Sequence, residues 1–331
     1  MALKSSVAGL AAKVVGAAAV LLVAGTAAFA AEPFPSKEIR FIVPWNAGGS
    51  NDISARALAQ LAAEQGVRVI VENVPGATGA IGLTKVANAE PDGYTIGMGT
   101  SSTLALIAQG LTPLRNEQFA PIARVTTDPL ILLVPASGPY KTLESFLAHV
   151  KSNPDKVSIG IPGNNNLNHI FAVMTGQVAG VQTLPVPYTG GSKVIADLAG
   201  KQIEAGVLKP SESKSQIDGG LVRPIAVFGN ERLKSLPDVP TFKEKGYNVF
   251  PYGPLVQMAY IVAPAATPPA VREKLTAIFG KAIQSPRFKA TSDAGGALVD
   301  DLTGTALVNE INNVQKSLNE VGKKIFVAEK K

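Results

Sequence analysis

The sequence predicts an α/β fold of two similar units, each a mainly parallel sheet flanked by helices, followed by a helical tail. Three observations support this prediction. Short apolar runs bounded by Pro and Gly alternate with segments of helical period. The alternation pauses after Pro135 and begins again near residue 142. The chain has 331 residues, 46% of them hydrophobic, which suffices for about two domains.

The first unit opens with a buried strand that ends at Pro44, and a helical pattern starts at Ser50. Its predicted elements are, in order, a strand over 39–43, a helix from Ser50, a strand over 67–72, a helix over 79–89, and strands over 94–98 and 130–134. Residues 99–103 (GTSST) are interpreted as a loop after the third strand.

The second unit repeats this alternation, and two long helices close the chain. The predicted elements are a helix over 142–150, a strand over 157–161, a helix over 166–178, strands over 183–186, 203–207 and 222–227, short helices over 192–199 and 211–217, and a strand over 260–262. The first closing helix starts at Thr267-Pro268-Pro269 and stops before Pro286. The second carries apolar residues from Leu307 to Val321.

Residues 1–30 have the pattern of a secretory signal peptide. They contain Lys4 and Lys13, no acidic residue, and an apolar run shorter than the roughly 20 residues of a spanning helix. They end in the small-x-small signal Ala28-Phe29-Ala30. Cleavage after Ala30 and export to the periplasm are predicted. An uncleaved N-terminal anchor is the alternative.

The composition argues against several kinds of chemistry. The chain has no cysteine, which excludes disulfides, thiolate metal sites and a cysteine nucleophile. With only His149 and His169, a multi-histidine metal site is not predicted, whereas the composition leaves a carboxylate-rich site open. The net charge of +6 is spread along the chain, so nucleic acid is not an expected partner.

The most informative segment, residues 44–52 (PWNAGGSND), joins the first strand to the first helix. Open α/β sheets bind ligands at such junctions. Gly48 and Gly49 let backbone N–H groups approach a ligand closely, and N–H groups at a helix N-terminus attract anions. The segment matches neither the Walker A loop nor the dinucleotide fingerprint, so no cofactor is predicted. An ordinary tight turn is the alternative explanation for the two glycines.

Three further loops follow strands and are rich in glycine or hydroxyl groups. They cover residues 73–79, 99–103 and 188–192. None offers a charged catalytic group. If they converge with residues 45–52, they form a cleft of backbone donors, hydroxyls and amides that could hold a carboxylate without an arginine. This pattern favours a binding site over a catalytic one.

Several individual residues allow two interpretations. His169 is a candidate general base or a structural histidine at a helix start. Asp52 is a candidate acid, or a first-turn carboxylate that stabilises its helix. Trp45 either walls a ligand or packs under its loop. Asn164-Asn165-Asn166 provides either turn chemistry or a polar ligand contact.

Taken in order, these motifs resemble the extracytoplasmic solute receptors of tripartite tricarboxylate transporters, the Bug (Bordetella uptake gene) receptors. The resemblance spans almost the whole chain after residue 30. It rests on FPSK over 34–37, VP over 43–44, GGSND over 48–52, VENVPGA over 71–77, PDGYT over 91–95, GT over 99–100, VPYTGG over 186–191, LPDVPT over 236–241 and PAATP over 264–268.

The resemblance implies a two-domain Venus-flytrap binding protein, with no enzymatic activity, no cofactor and no metal. Domain 1 would comprise residues 34–137 and 248–331, and domain 2 residues 138–247. In the family one loop from each domain holds a carboxylate through backbone N–H groups. The predicted ligand-binding residues are Trp45, Asn46, Ala47, Gly48, Gly49, Ser50, Asp52, Ala77, Thr78, Thr100, Ser101, Asn165, His169, Tyr188, Thr189, Gly190 and Gly191.

The implied partners are a small carboxylate and the membrane subunits of a permease, and the protein is expected to be a monomer. The candidate solutes are di- and tricarboxylates, acidic amino acids and aromatic acids. The chain departs from the common family pattern at Trp45-Asn46, in the amide-rich segment 163–169 and over 250–261, so the far end of the site is not implied by the resemblance. Two other functions remain open: a sensory partner of a signalling protein, and an exported hydrolase that uses His169 or Asp52.

Overall fold

The computed structural model describes residues 34–326. The predicted signal peptide, residues 1–30, lies outside the described residues. Residues 37–326 fall within one compact unit. The ten strands are β1 (Ile39–Val43), β2 (Val69–Asn73), β3 (Thr95–Thr100), β4 (Phe119–Thr127), β5 (Leu130–Pro135), β6 (Ser158–Ile161), β7 (Leu184–Pro187), β8 (Ala205–Leu208), β9 (Val222–Phe228) and β10 (Met258–Pro264).

Ten α-helices of the described residues flank these strands. They are α1 (Ser50–Ala63), α2 (Ala80–Ala87), α3 (Ser101–Ala108), α4 (Leu143–Ser152), α5 (Leu167–Val178), α6 (Gly191–Ala199), α7 (Pro210–Asp218), α8 (Pro269–Ile283), α9 (Pro286–Ala294) and α10 (Gly304–Val321). A π-helical turn, Gly322–Phe326, extends α10. Within residues 34–326, no helix combines the length and apolar content that crossing a bilayer requires.

The strands form two sheets of the same topology. The first has the order β2-β1-β3-β10-β4, and the second has the order β7-β6-β8-β5-β9. In the first sheet only β10 runs against the others. In the second sheet only β5 does so. The prediction of an α/β fold with two mainly parallel sheets is therefore confirmed. We call the first sheet with its helices the first lobe, and the second sheet with its helices the second lobe.

The chain passes between the sheets twice, and both antiparallel strands follow a passage. The first passage lies between Thr127 and Leu130, and the second lies between Phe228 and Met258. The resemblance implies crossings near Ser137 and Tyr247. The strand over 130–134, which the sequence assigns to the first unit, pairs with β8 and β9 in the second sheet. Its apolar pattern predicts a buried strand but carries no information about which sheet it joins.

Three elements are missing from the sequence prediction. Strand β4 contains Pro121, which ordinarily interrupts a strand pattern. It is tolerated because β4 is the edge strand of its sheet. Helix α3 begins at Ser101, immediately after β3, so residues 99–103 are a strand end and a first helical turn rather than a loop. Helix α9 is a separate short helix that Ser285 caps by accepting the Phe288 N–H.

The core lies between the sheets and their helices. Every residue of β5 and β10 is buried, as expected for strands inside a sheet that is covered on both faces. The aromatic rings of Phe171, Phe228 and Phe242 stack in the second lobe. In the first lobe, α8 packs on β4 and α1, and α10 packs on α3 and β4. The two closing helices thus complete the first lobe.

Candidate functional site

A cavity of about 760 Å³ lies between the lobes at the carboxyl ends of their parallel strands. Its walls are polar loops and the first turns of helices. The lining residues are Trp45, Asn46, Ala47, Gly48, Gly49, Ser50, Asn51, Ile53, Thr78, Thr100, Ser102, Pro162, Gly163, Asn166, Asn168, Tyr188, Thr189, Gly190, Gly191, Ser192, Lys209, Ser211, Glu212 and Gln257. A volume of this size suits a small organic solute.

The segment between β1 and α1 is shaped by one buried carboxylate. Asp52 Oδ2 accepts the Gly48 N–H at 2.9 Å and the Arg56 Nε–H at 3.0 Å, and its Oδ1 accepts an Asn73 amide N–H at 2.9 Å. Gly48 has a φ of +81°, a conformation that favours glycine. Burial opposes ionisation of Asp52, but the hydrogen bonds from Arg56, Gly48 and Asn73 outweigh it and hold its pKa below the usual value. Asp52 therefore holds the segment between β1 and α1 in shape without lining the cavity itself.

The segment between β2 and α2 brings Thr78 to the cavity. Ala77 and Thr78 have φ values of 45° and 51°, which L side chains seldom adopt. Such strained conformations occur where a surrounding structure holds them, often at ligand sites. The ring of Trp45 lies against the next residue, Gly79, where an added Cβ would be 3.0 Å from it. Trp45 both lines the cavity and packs on this turn, and its predicted contact with a ligand stays a prediction.

Two buried polar atoms on the cavity wall lack a hydrogen-bond partner among residues 34–326. They are Thr100 Oγ1 and Gln257 Oε1. Both residues line the cavity, and their exposed fractions are 1% and 6%. A buried polar atom without a partner costs free energy, so native proteins nearly always satisfy such atoms. These two atoms are candidates for contacts with a bound molecule.

The matching segment of the second lobe lies between β7 and α6. The Tyr188 hydroxyl donates to Asp197 Oδ2 at 2.8 Å, and burial together with Asp197 raises the pKa of Tyr188 to about 12. The backbone then opens at Gly190, where a Cβ would meet nothing within 4 Å. The first-turn N–H groups of α6 follow directly, and such groups are donors for an anion.

The amide-rich segment between β6 and α5 divides into structural and cavity-facing parts. Asn166 caps α5 by accepting the His169 N–H at 3.0 Å, and Asn168 donates to the Val207 carbonyl at 2.9 Å. Both asparagines line the cavity. His169 Nδ1 accepts the Asn165 N–H at 3.2 Å. Burial lowers the pKa of His169 to about 4, so its imidazole is neutral at pH 7.

Lys209 and Glu212 bring charge to the second-lobe wall. Lys209 follows β8 and is buried, with an exposed fraction of 7%. Its Nζ donates to Ser50 Oγ at 3.0 Å and to Asp128 Oδ2 at 3.4 Å. The Lys209 backbone N–H donates to Glu212 Oε2 at 3.2 Å. Burial raises the pKa of Glu212, and the positive charge of Lys209 opposes that shift.

The structure brings twelve of the predicted residues to the cavity wall and leaves five away from it. Those on the wall are Trp45, Asn46, Ala47, Gly48, Gly49, Ser50, Thr78, Thr100, Tyr188, Thr189, Gly190 and Gly191. Those away from it are Asp52, Ala77, Ser101, Asn165 and His169. Ser101 accepts the Met258 N–H and donates to the Val256 carbonyl, and the Asn165 carbonyl accepts from Gln109. These polar groups, like Asp52 and His169, are engaged within the fold.

Sequence reasoning missed three residues of the cavity wall, Lys209, Glu212 and Gln257. Lys209 and Glu212 look like the start of an ordinary surface helix, and Gln257 lies in an extended segment without a motif. One signal was available for Lys209, because it stands directly after a buried strand, where an α/β sheet places its ligands. Within the described part of the chain, no group of three or more acidic or histidine side chains is arranged to hold a metal ion.

Two lobes of one topology around a polar, solute-sized cavity define the periplasmic solute-binding class with a two-domain, Venus-flytrap fold. The sequence model of the family described as "Tripartite tricarboxylate transporter family receptor" matches residues 54–305. The chain therefore belongs to that receptor family, as its motifs predict.

Relatives and solved structures support the assignment. A UPF0065 protein of Bordetella pertussis is 33% identical, over 81% of this chain and 83% of that protein. The structure of the periplasmic binding protein BugD is 30% identical with a TM-score of 0.75, covering 88% of this chain and 98% of that one. MatC from Rhodopseudomonas palustris with bound malate is 26% identical with a TM-score of 0.77, covering 87% of this chain and all of that one.

Proposed function

We propose that this protein binds a small carboxylated solute in the cavity between its lobes and delivers it to a membrane permease. The observation that carries the proposal is the pair of strand-to-helix segments, residues 45–49 and 188–190, that flank the cavity ahead of α1 and α6. Backbone N–H groups at two helix N-termini suit a carboxylate. Malate bound to MatC, a relative of the same fold, favours a dicarboxylate.

In this proposal the predicted site residues form two groups, which either contact the solute or hold the cavity wall in shape. Those on the wall, from Trp45 to Ser50 and from Tyr188 to Gly191, would contact the solute together with Thr78 and Thr100. Asp52 and Ser101 would hold the shape of the wall. We further propose that the protein works in the periplasm after removal of residues 1–30.

The proposal implies binding without chemical conversion. His169, the candidate base, lies away from the cavity, and its imidazole already accepts a backbone N–H. We infer that the solute bridges the lobes and stabilises a closed form through contacts that an open form lacks. Release of the unchanged solute would then follow from reopening at the permease.

Thermal unfolding against a panel of acids tests the proposal. The panel comprises malate, citrate, glutamate, adipate and benzoate. A solute at 100 times its Kd adds about 2.7 kcal/mol to the free energy of unfolding, which raises the Tm measurably. We expect at least one acid to do so and to be recovered unaltered by mass spectrometry. Conversion of the acid would favour the alternative function, an exported hydrolase. If no acid raised the Tm, the result would contradict a carboxylate receptor.

Uptake measurements test delivery. Deletion of the gene should abolish uptake of the acid that binds. Unchanged uptake would favour the sensor, which binds the same solute but does not transport it.

A further inference from the structure

We propose that Lys209 pairs directly with the carboxylate of the solute at the N-terminus of α1, in place of Asp128, its partner in the present structure. The inference rests on the proposed function and adds to it a charged, specificity-determining side chain. It makes the first-lobe end of the cavity a site for an anion rather than for a neutral polar group. Lys209 is the one positively charged side chain on the cavity wall within residues 34–326.

Lys209 lies close to the N-terminus of α1. Its Nζ lies 3.0 Å from the hydroxyl of Ser50, the first residue of α1. Gly49, which precedes Ser50, has no side chain that could occupy the donors of the first turn. An anion bound by these N–H groups therefore lies within reach of the Lys209 ammonium. Backbone dipoles and a full positive charge then converge on one point.

The present partner of Lys209 is a poor competitor for the charge. Lys209 Nζ is 3.4 Å from Asp128 Oδ2, whereas a charge-assisted hydrogen bond is ordinarily about 2.7–2.9 Å long. The same Asp128 oxygen also accepts the Thr126 hydroxyl at 3.0 Å. Both charges are buried, with side-chain exposed fractions of 9% and 6%. A buried ammonium with one long ion pair gains free energy from a closer anion.

The unpaired atoms on the cavity wall supply an independent observation. The Gln257 carbonyl accepts the Asp128 N–H at 2.7 Å, so Gln257 is in direct contact with the residue that Lys209 approaches. Gln257 Oε1 and Thr100 Oγ1 are buried on the wall of the same cavity without a partner in the described chain. The Thr100 hydroxyl can donate to a carboxylate, whereas Gln257 Oε1 only accepts and needs a donor such as a hydroxyl of the solute. A solute that carries both a carboxylate and a donor group would satisfy both atoms. The polar end of the solute is thus expected beside Lys209.

The pairing also connects the lobes. Lys209 belongs to the second lobe through β8, whereas Ser50 belongs to the first and Asp128 lies at the passage between the sheets. A carboxylate that contacts both the α1 donors and Lys209 holds the two lobes together. A contact through the carboxylate would therefore add to the hydrogen bond from Lys209 to Ser50 that already joins the lobes.

Calorimetric titration of the protein with the five acids of the panel tests the inference. Lys209→Met should weaken the binding of the acid that the natural protein prefers by about 10- to 100-fold, the usual range for a lost hydrogen bond between charged groups. Lys214→Met is the matched control. It removes the same charge from α7, the helix that Lys209 precedes, but Lys214 is exposed, pairs with Asp218 and is not on the cavity wall. Its affinity should equal that of the natural protein.

A double variant separates ligand contact from a structural role. Lys209→Met alone leaves Asp128 buried without its counterion, which could disturb the passage between the lobes or prevent folding. Lys209→Met with Asp128→Asn removes both charges and keeps an oxygen that accepts the Thr126 hydroxyl. Binding by the double variant should stay as weak as by Lys209→Met. Recovery of the natural affinity would show a structural effect and overturn the inference.

The remaining outcomes distinguish the two proposals. Natural affinity in Lys209→Met would overturn the role of Lys209 and leave the receptor function intact. Failure of the natural protein to bind any of the five acids would overturn both.

Discussion

The two lobes share a strand order but present different chemistry to the cavity. In the first lobe, the segment 45–49 lines the cavity with uncharged residues, and the charges of Asp52 and Arg56 lie behind it. In the second lobe, Lys209 and Glu212 reach the wall themselves. Topology therefore places the cavity at the carboxyl ends of the strands in both lobes, whereas the residue that follows each strand decides whether an uncharged loop or a charged side chain lines it.

Covering the backbone N–H groups at Gly49 or Gly190 should reduce the affinity for the solute more than any other change. A Cβ at Gly49 would lie 3.5 Å from the Asn46 carbonyl, and one at Gly190 would meet nothing within 4 Å. Their φ values of −77° and 164° suit any residue. Gly49→Val and Gly190→Val should therefore fold normally, yet reduce affinity by at least about 100-fold, or ~2.7 kcal/mol, because the branched side chain covers the N–H groups.

Calorimetric titration with the preferred acid, together with the Tm of each variant, measures this effect. Gly280→Val is the control, since Gly280 is also open but lies in α8 outside the cavity. Loss of binding in only one of the two cavity variants would show that the solute depends on a single lobe. Normal binding in both would contradict the proposed site.

The next effect compares the residues that hold the two loops in shape. Asp52→Ala removes the acceptor of Gly48, Arg56 and Asn73 and should cost about 3 kcal/mol of unfolding free energy. Tyr188→Phe removes one hydrogen bond to Asp197 and should cost only about 1 kcal/mol. Urea unfolding measures both. Equal costs would mean that the carboxylate of Asp52 contributes no more than a single hydroxyl.

Acid should weaken the second lobe through His169. Burial lowers the pKa of His169 from 6.5 to about 4. The free energy of unfolding is therefore at its full value above pH 6.5 and decreases as the pH falls toward 4. Lowering the pH from 7 to 5 should cost about 2 kcal/mol, because the unfolded chain binds a proton that the folded chain does not. His169→Gln should show a shallower decline in urea unfolding over this range. A decline identical to that of the natural protein would mean that His169 does not titrate as its burial indicates.

The smallest expected effect is that of Thr100→Val, which should weaken binding without reducing stability. Its buried hydroxyl has no partner in residues 34–326, so Thr100→Val should leave the protein equally stable or about 1 kcal/mol more stable. The same change should weaken binding of the preferred acid by about 10-fold if the hydroxyl contacts it. Urea unfolding and calorimetric titration measure the two effects. A loss of stability would indicate an internal hydrogen bond instead.

Most of the fold follows from local patterns. The strand over 39–43, the helix from Ser50 and the closing helices were predictable because a buried strand and an amphipathic helix each have a period that one segment displays by itself. Strand β4 was not, because Pro121 hides its pattern and only its edge position tolerates the proline. Helix α3 was not, because it is short and its buried residues 101–106 include the polar Ser101, Ser102 and Thr103, which hide the period of an amphipathic helix.

Local sequence determines where this protein presents backbone donors, since the glycines and small residues at 45–52 and 188–192 indicate strand-to-helix junctions that sheet topology must bring to one edge. It also carries the motifs of the receptor family. Which charges meet at that edge depends on the packing of the two lobes. Ser50, Asp128, Lys209 and Gln257 are separated by dozens of residues along the chain, and no local period records their approach. Their contacts arise because the two sheets pack so that the end of β8 faces the start of α1.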